Sequence, residues 1–322
     1  MSWSREIGGY LQLELGDGQI PYPHAYPVNC GRAGLEVILK RRGYRRIWVP
    51  AYICNAVYET VEKTDVEAVS YGLTRNLEPR NIPRLSREDA LLYVNYWGLK
   101  DKACDALSSR VGNLILDLSQ ALFYKPRTNV DAFNSIRKFV GVPDGGYLFG
   151  GCVEGLDLPR AMSWQHCEHL LRRSDGDVSG GYAAFKAIED AISHWNPMRM
   201  SLLTERMVRA LDFGAVKRRR RANYQYLHKT LKKKNELLIA QCGTSVPLCY
   251  PYFIRRGSVL KQRLNQRRIY TPSYWPDIDE RISGLETEID IKNNLVCLPI
   301  DQRYGADEMD ALRDALREES LS

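Results

Sequence analysis

Residues 113–146 read NLILDLSQALFYKPRTNVDAFNSIRKFVGVPDGG. The opening Asn113-Leu-Ile-Leu-Asp117 predicts a short buried strand that ends on a carboxylate. At a strand end Asp117 can point into a crevice and pair with a buried cation, or serve as a cap or turn residue. Lys138 sits in Phe133-Asn-Ser-Ile-Arg-Lys-Phe-Val-Gly-Val-Pro. A lysine among apolar residues can have its amine pKa lowered by burial, which suits Schiff-base chemistry; the plain alternative is an exposed loop lysine. Gly145-Gly-Tyr-Leu-Phe-Gly150 predicts a short strand bracketed by glycines.

Working outward, the first 150 residues alternate between strands and helices. The pattern predicts a helix over 31–43 opening at a glycine turn and a strand over 46–50 closed by Pro50. A helix over 55–63, strands over 66–71 and 90–95, and a helix over 102–111 follow. Apolar runs separated by helices imply an α/β domain with a mostly parallel central sheet covered on both faces. SDGDVSGG at 175–182 reads as a polar, glycine-rich break. Helices are expected over 183–195 and 200–235, the second carrying the stripe Leu202, Leu203, Met207, Val208 and Leu211. Beyond 245 come a strand over 246–254, a helix over 258–267, a strand start at Ile269-Tyr270, a strand over 295–299 and a terminal helix over 307–319. This order divides into a large domain over 1–214 and a small C-terminal α+β domain over 215–322.

The 322 residues are 44% hydrophobic and 26% charged, which excludes a disordered, collagen-like or fibrous chain. At roughly 150 residues per domain, two domains, or one large α/β unit with an appendage, are expected. The net charge of +7 is unevenly spread: residues 217–268 hold fifteen Lys/Arg against one acid, Glu236, and the rest holds 31 against 38. No apolar run reaches the length of a membrane span. MSWSREIGGYLQLELGDG at 1–18 has early acids and no apolar signal region. The eight cysteines (Cys30, Cys54, Cys104, Cys152, Cys167, Cys242, Cys249, Cys297) form no CxxC pair, so reduced thiols in the cytoplasm are expected. His166-Cys167-Glu168-His169 fits no standard zinc spacing and reads as a polar helix face, so no metal is expected.

Ligands of parallel α/β sheets collect at the carboxyl ends of the strands. Four polar segments fall there: Asn29-Cys-Gly-Arg32, Val94-Asn-Tyr-Trp-Gly98, Asp117-Leu-Ser-Gln120, and Arg137-Lys138 with Asp144-Gly-Gly146. A glycine turn opening a helix offers free N–H groups to a phosphate. Together the four fit pyridoxal phosphate (PLP), which needs an amide-lined phosphate cup, a carboxylate for its pyridine nitrogen and a lysine.

These residues resemble the DegT/DnrJ/EryC1/StrS family of PLP-dependent aminotransferases, within the fold type I aspartate-aminotransferase superfamily. Cys30-Gly-Arg-Ala-Gly-Leu35 is similar to the family's Ser-Gly-Thr-Ala-Ala-Leu phosphate turn, and Val49-Pro-Ala-Tyr52 to its Val-Pro-Ser-Tyr/Phe. Val94-Asn-Tyr-Trp-Gly98 stands at its Val-His-Leu-Tyr-Gly, Asp117-Leu-Ser-Gln120 at its Asp-Ala-Ala-Gln, and Lys138 seven residues before the Gly-Gly, as its lysine does. Leu298-Pro-Ile300 resembles the terminal Leu-Pro segment. The resemblance implies Lys138 and Asp117 as catalytic groups. It implies Gly31, Arg32, Ala33, Tyr52, Asn95, Gln120 and Ser135 as cofactor ligands beside them, with Asn196 supplied across a homodimer whose active sites are shared. The sequence departs from the family where Arg32 replaces a threonine, Cys54 a ring-stacking aromatic, Asn95 a histidine and Phe133 a serine, and in being shorter, which places it in a divergent branch.

The resemblance implies transfer of an amino group from an amino acid, glutamate by analogy, to a keto-sugar, nucleotide-linked, in surface polysaccharide or amino-sugar synthesis. The competing reading is a PLP-fold protein that binds a partner or sugar nucleotide without turnover, motivated by Arg32, Cys54 and Asn95. Lys217-Arg-Arg-Arg-Arg221, with Tyr224 and Tyr226, superficially resembles a nucleic-acid patch. Five successive charges on a helix spread round its axis, however, so a solvated face, or arginines reaching a nucleotide diphosphate, is expected rather than nucleic acid.

Overall fold

A computed structural model describes residues 9–237 and 243–319; Cys242 and the start of the N-terminal stretch lie outside them. Seven strands, β1 (Tyr26–Val28), β2 (Arg46–Pro50), β3 (Glu67–Tyr71), β4 (Asp89–Val94), β5 (Leu114–Asp117), β6 (Asp131–Phe133) and β7 (Gly146–Phe149), form one sheet. Their order is β1-β7-β6-β5-β4-β2-β3, and only β7 runs antiparallel to its neighbours. Every residue of β4 and β5 is buried, as expected for parallel strands with both faces covered. Helices α1 (Gly31–Arg42), α2 (Asn55–Glu62) and α3 (Asp101–Ser108) make the crossovers.

Register brings the strand ends level. Val94 pairs with Asp117 and Asp117 with Phe133, so the residues after β4, β5 and β6 emerge at one edge. Val28 pairs with Gly146, which brings the start of α1 to that edge as well. Arg42 at the far end of α1 grips buried Asp131 through two hydrogen bonds of 2.5 and 2.7 Å, fixing α1 against β6.

Helices α4 (Glu168–Ser174), α5 (Val178–Ile192), α6 (Leu202–Arg209) and α7 (Phe213–Leu231) follow, then β8 (Cys249–Phe253), α8 (Gly257–Gln266), α9 (Glu286–Asn294), β9 (Leu295–Pro299) and α10 (Ala306–Glu319). Strands β8 and β9 pair antiparallel, and their period of two divides their side chains between two cores. Cys249, Phe253, Leu295 and Cys297 join the main core; Tyr250, Tyr252, Val296 and Leu298 join a second one with Tyr224, Leu227, Leu264 and Leu312.

Several expected elements differ. The break at 175–182 is mostly helix: Asp177 caps α5, accepting from the Gly180 amide at 2.9 Å. The single helix over 200–235 is two, because Asp212 accepts from the Ala215 amide at 2.9 Å and starts α7 afresh. Ile269-Tyr270 forms no strand, and β1, β6 and α9 had no counterpart in the sequence pattern.

Candidate active site

At the level edge, the first turn of α1 stands beside the ends of β5 and β6. Cys30 caps α1, its Sγ accepting from the Ala33 amide at 3.4 Å. A side chain at Gly31 would put its Cβ 3.3 Å from Ser119 Oγ and 3.4 Å from the Asn134 carbonyl, so any larger residue would crowd this approach. The Gly145-Gly146 pair serves the same edge. The Gly145 amide donates to the Asn29 carbonyl at 2.6 Å, and a Cβ on Gly146 would lie 2.3 Å from the Asn134 carbonyl. Asp144 before it is buried, accepts from the Ser201 amide and hydroxyl at 2.9 and 2.8 Å and from Thr204, and so holds the start of α6.

These elements form a cleft of about 440 Å³ whose lining includes Gly31, Arg32, Asp117, Ser135, Arg137, Lys138 and Cys54. Asp117 is buried, and its Oδ1 accepts from the Ser119 amide at 2.8 Å. Burial pushes its carboxyl above the usual aspartate range; the Lys138 ammonium and the Ser119 bonds pull the other way. Lys138 lies on a one-turn helix over Ile136–Lys138 and is exposed to solvent, while its neighbours Ile136 and Phe139 are buried. Exposure, not burial among those apolar neighbours, describes this lysine. It lines both the first cleft and a second of about 630 Å³ that runs toward Arg268, Arg303 and Tyr304.

Other expected ligands lie around the cleft rather than in it. Gln120 is buried; its Oε1 accepts from the Trp97 amide at 2.9 Å, leaving Nε2 buried without a partner. Tyr52 is buried, donates to the Tyr274 carbonyl and lies 5.1 Å from the Trp275 ring, so it backs the wall that Tyr274 and Trp275 present to the cleft. Asn95 points away: its amide donates to Asp101 at 2.7 Å and accepts from the Lys100 amide at 2.9 Å, tying β4 to α3. Ala33 is packed inside α1. Asn196 is exposed on the loop after α5, where its carbonyl accepts from Asn29 at 3.0 Å, and it does not line this chain's own cleft.

The sequence reading left out Phe185 and Glu189 of α5, and Tyr274 and Trp275, which reach the cleft from more than 130 residues downstream of Lys138. Only the aromatic density of Tyr270-Thr-Pro-Ser-Tyr-Trp275 marks the second pair in the sequence.

The basic run does not present one charged face. Arg220 is buried, donating to the carbonyls of Phe139, Pro247 and Leu248 and to Gln302, with its guanidinium 4.7 Å from the Phe139 ring. Arg221 donates to the carbonyls of Thr244 and Ser245, and Lys217 lies over the Phe123 ring at 5.0 Å. Arg220 and Arg221 are therefore spent on backbone carbonyls, not held out to a nucleotide. His166 and His169 pack against Trp195 and Phe185 at 5.1 and 5.9 Å, and no group of metal-ligating side chains occurs among the described residues. Nor is any described helix long and apolar enough to cross a membrane.

Solved structures share this architecture. DesV from S. venezuelae, in complex with a ketimine intermediate, is 18% identical with a TM-score of 0.66, the match covering 93% of this chain and 85% of that one. The sugar aminotransferase CalS13 from Micromonospora echinospora is 14% identical with a TM-score of 0.63, covering 92% and 87%. NtdA from Bacillus subtilis, with bound cofactor PMP, is 13% identical with a TM-score of 0.62, covering 91% and 72%. The chain has the fold of the sugar aminotransferases. This is the α/β fold that the family resemblance implied. No family model and no curated protein matches the sequence.

Proposed function

We propose that the chain is a PLP-dependent aminotransferase that moves an amino group from an amino acid, glutamate by analogy, to a keto-sugar, nucleotide-linked. The observation that carries this is the meeting of Asp117, the Ser135–Lys138 turn and the α1 turn at one cleft, from three separate stretches of sequence. The cleft fits the cofactor on its own terms: the Nε atoms of Arg32 and Arg137, which line it, are buried donors with no partner, Nε2 of Gln120, one residue beyond Ser119 of the lining, is another, and a Cβ on Gly31 would crowd its neighbours at 3.3–3.4 Å.

Pyridoxal phosphate supplies an electron sink when bound. Lys138 would hold it covalently, the α1 turn and Ser135 its phosphate, and Gln120 its ring hydroxyl side. Asp117 would keep its pyridine nitrogen protonated; the buried carboxylate gains a cation there and loses the penalty that now raises its pKa. Lys138, once free, stands in reach of both clefts and would take a proton from the substrate α-carbon and return it to the carbon on the far side of the amino nitrogen, as base and then acid. Tyr274 and Trp275 wall the reacting space with apolar surface where Cys54 offers little.

We place the enzyme in the cytoplasm, consistent with the seven free cysteines of the described residues, in amino-sugar or surface polysaccharide synthesis, and we read it as a homodimer. Asn196 sits outside its own cleft, and Trp164, Leu171 and Tyr182, of the segment before it, leave large apolar side chains 62–66% exposed. A second copy covering these side chains could bring Asn196 to the partner's phosphate turn. Sedimentation should give twice 36.9 kDa, reduced to the monomer by Tyr182→Glu; a wild-type monomer at working concentration contradicts this. The function itself is tested by adding glutamate to the PLP-loaded protein and following conversion of the bound cofactor to its amine form, which Lys138→Ala must abolish.

A further inference from the structure

Two arginines face the cleft beside the first turn of α1. Arg137 is nine-tenths buried; its Nη1 reaches Glu189 of α5 at 2.7 Å, while its Nε is buried without a partner. Arg32 projects from α1 itself, reaches Glu59 at only 3.6 Å, and also keeps a buried, unpartnered Nε. Both glutamates are nearly half exposed, at 44% and 48%, so water competes for them and the pairing is weak. Both guanidiniums also favour the ionised form of the Cys30 thiol at the α1 cap, as charges near the helix start do, against the larger effect of burial. A guanidinium carries five donors in a fixed fork, and a tetrahedral oxyanion is the acceptor that can take several of them at once.

The charges point the same way. A phosphate monoester carries roughly −1.5 to −2 at neutral pH, and a helix start offers only about half a positive charge. Ser135 adds a hydroxyl and no charge. Two flanking guanidiniums supply the remainder, from residues whose backbones are already fixed by α1 and by the one-turn helix of Lys138.

Resting on the proposed cofactor, we infer that Arg137 and Arg32 form a guanidinium clamp on its phosphate, with Arg137 a binding residue and Glu189 a counter-ion that the phosphate displaces. Recognition of the phosphate is then chiefly a matter of charge.

The test compares PLP with pyridoxal, which lacks the phosphate, titrated by fluorescence and absorbance into the cofactor-stripped full chain. Arg137→Gln and Arg32→Gln should each weaken PLP by roughly tenfold or more while changing pyridoxal by less than about threefold. Arg137→Lys should fall between, since it keeps the charge and loses the fork. Glu189→Gln should tighten PLP, an effect opposite in sign to damage of the fold. Inorganic phosphate should raise the thermal midpoint of the stripped wild type and not that of Arg137→Gln. Unchanged PLP affinity in both glutamine variants, or equal loss of PLP and pyridoxal with native circular dichroism, overturns the clamp alone. A wild type that binds no PLP overturns the clamp together with the proposed function.

Discussion

Asp117 and Lys138 are legible in the sequence for different reasons. Asp117 follows three apolar residues, and a charge placed straight after a buried run must sit at a strand end. Lys138 is picked out by the family resemblance, through its spacing from Gly145-Gly146; its apolar neighbours mislead, because Ile136 and Phe139 turn inward and leave it exposed. Arg137 belongs to one of the polar segments picked out in the sequence, but nothing in its neighbours says that it is buried, and Trp275 escapes notice because it arrives from the other end of the chain. Asp117 carries a prediction. Burial raises its folded-state pKa, so the ionised form costs more in the folded than in the unfolded protein, and wild-type stability falls as pH rises through that raised value. Asp117→Asn should therefore stabilise the cofactor-free protein near neutral pH, on the order of 1 kcal/mol. The gain should fade as the pH drops and the wild-type carboxyl becomes protonated. Thermal unfolding across pH checks this; a variant less stable at neutral pH contradicts it. The same variant should lose activity, since it can no longer hold a pyridine nitrogen charged.

Elements with long, uniform patterns are read to the residue: β2 and β9 occupy 46–50 and 295–299 as the apolar runs require. Strands β1 and β6 are three residues each, too short for any periodicity, and the split of α6 from α7 turns on one cap, Asp212, inside an otherwise continuous stripe. Glycine is the better local signal. The closeness of Gly146 to the Asn134 carbonyl sets how tightly β7 and the Ser135–Lys138 turn approach α1. Gly146→Ala should destabilise by about 1–3 kcal/mol, because backbone and not a flexible side chain stands in the way. It should also weaken PLP binding by moving the turn. Denaturant unfolding and a PLP titration check both effects; a neutral outcome in the two contradicts the account of this edge.

At the scale of the whole molecule, the mostly parallel sheet expected from the first 150 residues forms and β8 and β9 make a separate two-stranded sheet, while the junction between the two sheets is hidden in the sequence. Its strands serve two cores at once, and Arg220, one of five successive basic residues, is buried at the junction, donating to the Phe139 carbonyl next to Lys138. A charge run says nothing of which member turns inward. The fold and the meeting of four segments at one edge leave the central claim to a single measurement. Load the full chain with PLP, reduce with borohydride, digest, and locate the cofactor by mass spectrometry. The account predicts one modified residue, Lys138. Label on another lysine, or none, would contradict it.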